Sequence, residues 1–317
     1  GFGVSMVFIP TMKILSQWFL PHEFAFMAGI LNAVGGIGVF AATGLLAVMT
    51  IHFGWRLSFE LIGACTLFVM VLNWLIVRDR PQDKGWPAIC SMDNRKPDST
   101  VESELISLSG GVKRVLSEKH FWPVAVWFFF DCGIFFGFGG LWGGPFLMHV
   151  YNLSHAETGT VLSMIALGMI IGSPLIGLVS DKLLKSRKIP FMICSFLLTL
   201  DISILYFFPS GLSISTLCMI FFIFSVSSSA IVIIGFTTVK ELFPVQIAGT
   251  SVGLVNLFPF LGGAVFMPLM GKVLDAYPKA ENGFYAAEGY STLLLVLLIS
   301  AIAAFVCTLL MKETFPE

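Results

Sequence analysis

FWPVAVWFFFDCGIFFGFGGLWGGPFLMHV, residues 121–150, is the stretch that decides the fold. It runs for 30 residues with one Asp, Glu, Lys or Arg, namely Asp131. At 1.5 Å per residue this is about 45 Å of helix, longer than the roughly 30 Å hydrocarbon core of a bilayer. A helix on the surface of a soluble domain would show a polar face, and this run has none. Working outward, eight more stretches obey the same rule, at about 1–19, 23–50, 57–77, 157–179, 189–208, 212–236, 245–275 and 286–311. The chain is therefore expected to be an all-α polytopic membrane protein with nine spans.

Composition agrees. The 317 residues are 56% hydrophobic and 12% charged, with mean hydropathy +0.91, whereas soluble domains carry about 25% charged residues. The net charge of −1 leaves no basic footprint for nucleic acid. The six cysteines form no CxxC pair and no zinc spacing, so no metal site is expected. No HExxH, Walker loop or dinucleotide fingerprint occurs in its proper context, so neither a cofactor nor ATP drive is expected. GTSVG at Gly249–Gly253 fits GxSxG but lies at a helix start, not after a strand, and the chain is not read as an enzyme.

One hydrophilic connection divides the spans three and six. The expected organisation is a transmembrane unit at 1–77, a linker at 78–120 with one surface helix near 111–119, and a six-helix unit at 121–317. With the linker in the cytoplasm, 14 of the 18 Lys and Arg residues fall on that side, which also places the C-terminus inside. Arg56, Lys272 and Lys279 fall opposite, and Lys13 is read as snorkelling from its helix. A shift of 224 residues superposes Phe19 on Phe243, Gly29 on Gly253, Asn32 on Asn256 and Gly38 on Gly262. This is a parallel repeat of the kind that relates transporter halves. Extended to the six-helix unit, it implies three helices ahead of Gly1 and twelve in all.

Asp131 lies about 15 Å into its span, near the midplane. A carboxylate there is a candidate for function, binding a proton or a cation. Gly133, Gly137, Gly140 and Gly144 form a smooth ridge, and Asp131, Phe135, Phe138 and Trp142 are expected on the opposite face, lining a substrate path. Asn32 and Asn256 are repeat-related amides that need partners, either another helix or the substrate. Asp201 is read as structural, and Glu60 as reaching water near a helix end. Pro145, Pro174, Pro259 and Pro268 are expected to interrupt their helices.

GLVSDKLLKSRK, Gly177–Lys188, resembles the cytoplasmic loop signature of the major facilitator superfamily through Gly177, Asp181, Lys182, Lys185, Arg187 and Lys188. Leu184 replaces the usual glycine, and Ser186 interrupts the basic run. KELFP at 240–244, followed by AGTSVG, resembles the turn between helices 10 and 11 of that family, and RDRPQDKGWP the start of its central loop in the branch with sugar-phosphate and organic-anion carriers. The resemblance implies a major facilitator fold, of which this chain would hold helices 4–6 and the complete second half. It implies a monomeric secondary transporter in the bilayer of a cell membrane (the inner one in a prokaryote). Such a carrier moves a small solute, an organic anion, by alternating access with a coupling proton or counter-solute. The helix at Phe121 departs from that branch in having Asp131 and no Lys or Arg. A proton-coupled exporter of drugs or metabolites is the alternative. The resemblance also makes Gly177, Asp181, Lys182 and Arg187 a conformational latch, with Asp181 pairing to Lys182 or Arg187 or facing the helix after Pro244.

Overall fold

The computed structural model describes residues 7–19, 23–79, 81–85, 108–279 and 283–315. Residues 86–107 of the expected linker lie outside these, as do residues 1–6 and 20–22 and the side chain of Lys13. The described secondary structure is helical, apart from one isolated bridge between Lys279 and Tyr285. Seven described helices have the length and apolar character to cross a membrane: His52–Ile76, Phe121–Val150, His155–Leu184, Lys188–Phe207, Ile214–Glu241, Gln246–Asp275 and Ala287–Leu310. They coincide with seven of the nine expected stretches.

The other two differ in detail. The first is seen as α1 (Phe8–Trp18). The second and third are arms of one helix, α2 (Phe24–Ile76), joined at a kink where Gly54 has φ 75° and ψ 161°. Only glycine takes that backbone without strain, which is why the helix breaks there. The Ser58 hydroxyl then bonds the Gly54 carbonyl at 2.8 Å. In the first arm the span-like part is shorter, Phe26–Ala41. The second arm is exposed along its length except for Ser58.

The expected surface helix appears as α3 (Leu108–Ser117), three residues earlier than its sequence position suggested. Its Val115 is buried, and Gly111 packs on Ile247. Next comes α4 (Phe121–Ile134), which passes through a π-helical segment, Phe135–Trp142, into α5 (Gly143–Val150). A capping box between Ser154 and Glu157 starts α6 (His155–Leu178). A second π segment, Val179–Leu184, ends at Lys185 in the left-handed conformation and leads to α7 (Lys188–Phe207). Ser213 caps α8 (Ile214–Ser225) through the Thr216 N–H. A third π segment, Val226–Ala230, joins it to α9 (Val232–Glu241). The chain ends with α10 (Val245–Val255), α11 (Leu257–Asp275) and α12 (Ala287–Leu310).

The prolines interrupt less than expected. Helices run through Pro174 and Pro268. Pro145 stands just after the change from the π segment to α5, and Pro259 just after the joint at Asn256, where the regular α ladder already changes. The glycine ridge is also shorter. Gly133 and Gly137 pack on Phe266 and Met270 of α11, and a Cβ on Gly262 would lie 2.2 Å from the Phe129 carbonyl oxygen. Gly144 instead faces Leu162 of α6. The cause is the π segment, whose i→i+5 ladder widens the turn and rotates everything after Ile134 out of the 3.6-residue register.

The residues after 120 pack around two apolar clusters. One holds Phe121, Trp127, Phe128, Phe191 and Phe236, the other Phe138, Phe146, Phe221, Phe224 and Leu294. Asp131 lies in the stretch of α4 that passes from the first to the second. The first arm of α2 packs on α6 from outside this bundle.

Candidate functional site

Close approach of backbones builds the seam between α2 and α6. A Cβ on Gly29 would sit 2.6 Å from the Ser173 carbonyl oxygen, and one on Gly36 would sit 2.8 Å from Met169 Cβ. Between these contacts, one helical turn from each, Asn32 crosses the seam. Its Nδ2 donates to Ser173 Oγ at 2.7 Å and to the Ser229 carbonyl at 3.3 Å. The other side of α6 is just as close to α8. There Gly168 and Gly172 meet Ser225 and Val226, and Ser225 Oγ donates to the Ile165 carbonyl at 2.6 Å.

Asp131 is wholly buried. Ser228 Oγ donates to its Oδ2 at 2.9 Å and also lies 3.3 Å from its carbonyl oxygen. Among the described residues, Asp131 Oδ1 has no hydrogen-bond partner, and neither has Ser227 Oγ. Phe135 and Phe138 follow Asp131 along the side of its helix that faces α8, one and two turns from the Ser228 contact, whereas Trp142 leaves that face. Phe135 stacks on Phe224, and Phe138 is buried against Phe146, Phe221 and Phe224. Trp142 turns to α11, donating its indole N–H to the Met267 carbonyl at 3.0 Å. Asn256 is half-buried at the joint between α10 and α11, away from the Asn32 seam. Asp201 is buried in α7, with Oδ2 unpartnered, and Glu60 is exposed.

A second polar centre gathers around Arg187 in the loop after the second π segment. Its guanidinium, fully buried, donates to Asp181, to Ser180 Oγ at 2.9 Å and to Glu241 at 2.9 and 3.1 Å. Phe315 lies 5.0 Å from it, ring to cation. Burial works against this charge, but hydrogen bonds and attraction from Glu241 and then Asp181 outweigh it and hold the guanidinium above its ordinary value. Glu313 closes the centre. It accepts from Ser186 Oγ and from the N–H groups of Arg187 (2.8 Å) and Lys188 (3.3 Å), which form the start of α7. Burial raises the Glu313 value, yet these bonds win and hold it below the usual carboxylate range. In return, Lys188 Nζ donates to the Leu309 carbonyl at the end of α12, at 2.8 Å. Of the four latch residues, Asp181 and Arg187 meet, Gly177 is buried one turn before Asp181, and Lys182 is exposed outside the cluster.

Sequence reading passed over Ser173, Ser227–Ser229, Glu241 and Glu313. The signal for the serines was present: SVSSSA, 225–230, places four hydroxyls in an otherwise apolar span. Among the described residues no group of three His, Cys, Asp or Glu side chains is placed to hold a metal.

A sequence model described as the Major Facilitator Superfamily matches residues 1–267 and, in an overlapping match, 141–316. The membrane sensor protein UhpC of Salmonella typhimurium is 26% identical over 302 residues, which is 91% of this chain and 66% of that protein. The glycerol-3-phosphate transporter of Bacillus subtilis is 25% identical over 286 residues, 87% of this chain and 63% of that protein. The probable galactarate/D-glucarate transporter GarP of Escherichia coli is 23% identical over 339 residues, 98% of this chain and 70% of that protein. The chain thus spans about two thirds of the length of these relatives. In fold it is similar to a bacterial homolog of the human lysosomal transporter Spinster, solved inward-facing and unoccupied. The TM-score is 0.51 at 16% identity, over 96% of this chain and 74% of that one.

Proposed function

The chain belongs to the Major Facilitator Superfamily, and from that footing we propose that it serves a secondary active transporter moving a small organic anion across a membrane by alternating access. It is a multi-pass membrane protein, and its basic loops are read as cytoplasmic. The observation that carries the mechanism is the α2–α6 seam. Two repeat-related units meet there on glycines at backbone contact, with one amide crossing. A smooth apolar contact of this kind gives little resistance to rocking, and its few polar bonds define a closed position. The anion follows from the relatives: glycerol 3-phosphate, galactarate and glucarate are all anions of small polyols or sugars. In this reading Asp131 takes the coupling proton, and the Asp181–Arg187–Glu241 cluster is the latch that steadies one end of the second unit.

The test is uptake of labelled sugar phosphates and hexarates into proteoliposomes under an imposed proton gradient, beside melting-temperature screening of the same compounds. Saturable, gradient-driven flux of an anion is the expected result. The UhpC relatives motivate a second reading, a ligand-binding sensor, for which the compounds would raise the melting temperature without flux. Efflux of lipophilic drugs with no anion transport would support an exporter instead.

A further inference from the structure

The Ser227–Ser229 turn touches both the inter-unit seam and the buried carboxylate. At its far end the Ser229 carbonyl accepts from Asn32 of α2, 3.3 Å away. One residue earlier, Ser228 Oγ holds Asp131 Oδ2 at 2.9 Å. One residue earlier again, Ser227 Oγ has no partner among the described residues, and neither has Asp131 Oδ1. The three residues lie in a π segment, where the backbone ladder is looser than in an α-helix and carbonyls are free for side-chain donors. Taking up the reading of Asp131 as the coupling site, the geometry points to Asn32 and Ser173 as positioning residues for the coupling proton, acting through this turn.

The reasoning is local. Asn32 belongs to α2 and moves with the first unit, whereas Ser173, Ser229, Ser228 and Asp131 belong to the second. Rocking the units apart takes the amide away from Ser173 Oγ and the Ser229 carbonyl. A carbonyl stripped of its donor in an apolar bundle seeks another, so the turn resets. Ser228 is the adjacent residue and cannot keep its position through that reset. Asp131 then loses the side-chain donor that holds it, and a proton added to the carboxylate as an O–H group offsets that loss. No cation competes for this role among the described residues facing Asp131. The titratable side chains in electrostatic reach are Cys132 on its own helix and Cys194 on α7. The charged groups on α9, α11 and α12 stand at helix ends: Lys272, Asp275 and Glu288 at one side, Lys240 and Glu241 at the other. On α7, whose Phe191 and Ser195 meet Trp127 of α4, Asp201 is buried two turns beyond Cys194. Because coupling is reciprocal, whatever loosens the seam must alter proton binding at Asp131, and protonation must loosen the seam.

Infrared titration of the whole protein in lipid tests this. The signal is the carbonyl stretch of a protonated carboxylic acid, assigned to Asp131 by its disappearance in Asp131→Asn. Asn32→Ala and Ser173→Ala should each displace the midpoint of that band by roughly fivefold or more in proton concentration, the lower range for coupled sites. Ser228→Ala should displace it in the same direction, and Ser228→Thr, which keeps the hydroxyl, should restore it. Asn32→Ala removes both seam bonds and Ser173→Ala the shorter one, which orients the amide toward the Ser229 carbonyl, so a folding defect in one leaves the other to decide. A band that moves in Ser228→Ala but stays fixed in both seam variants overturns the linkage and leaves the coupling role of Asp131 intact. The absence of any band lost in Asp131→Asn overturns both.

Discussion

Arg187 carries more of the basic end than any other side chain. It joins the loop after the second π segment (Ser180, Asp181) to the end of α9 (Glu241) and to the chain's last described residue, Phe315. Removing one partner from a buried ionic cluster leaves the other charges uncompensated, at about 3–5 kcal/mol. Arg187→Ala is therefore expected to lower the melting temperature sharply in detergent. Arg187→Lys should rescue it poorly, because one ammonium cannot reproduce the guanidinium fork. Lys182→Ala, on an exposed side chain, should stay within about 0.5 kcal/mol of the parent. Asp181→Asn keeps its volume and loses one charge, so its effect should show as altered cysteine accessibility at the two faces rather than as unfolding. Glu313 adds a pH dependence. Its value in the fold is depressed below the ordinary 4.5, so its contribution is present above that value and fades as pH falls through the depressed one. Acid melting curves of Glu313→Gln should accordingly flatten relative to the parent below about pH 4.5. Asp181 and Arg187 were legible in the sequence because six residues separate them in one loop. Glu241 and Glu313, at 54 and 126 residues from Arg187, were not, since only the packing of helix ends brings them in.

Among the elements, the helix pair α4–α11 shows what apolar sequence can and cannot specify. Gly262 lets the two backbones touch, and a Cβ there would stand 2.2 Å from the Phe129 carbonyl oxygen. Gly262→Ala must push the helices apart, with a cost of about 1–3 kcal/mol or more from overpacking. Gly38, its repeat-related counterpart, has nothing among the described residues within 4 Å of such a Cβ. There alanine should be neutral or stabilising by up to about 1 kcal/mol, through a stiffer unfolded chain and better helix propensity. Paired thermal melts check the contrast. Span positions were readable because length and hydropathy alone set them, and all seven long helices lie where the apolar runs predict. The π segments at 135–142, 179–184 and 226–230 were not. A helix apolar on every side has no periodic pattern whose slip would betray a wider turn. The kink at Gly54 was legible as the gap between the expected spans 23–50 and 57–77; that helix runs up to it from both sides was not.

At the scale of the molecule, the question is what lets rocking of two units be driven by a gradient, and Asp131 offers an answer that can fail. It is the one carboxylate of the central span, buried between the two apolar clusters and held by a single hydroxyl. If its proton is the coupling ion, Asp131→Asn removes the charge change while keeping shape. The amide oxygen can still accept from Ser228 Oγ, so the bundle should fold and its melting temperature should stay close to that of the parent. Gradient-driven uptake requires net proton movement and should be abolished. Counterflow exchanges labelled for unlabelled solute with no net proton movement and should persist, because both directions of rocking remain open to the neutral site. A carboxylate that serves structure alone predicts the reverse pattern: poorer folding, with any folded protein accumulating solute normally. Uptake and counterflow measured on the same purified variant, beside its melt, separate the two. Normal gradient-driven accumulation by well-folded Asp131→Asn would remove Asp131 from the coupling role and leave the seam as a purely mechanical contact.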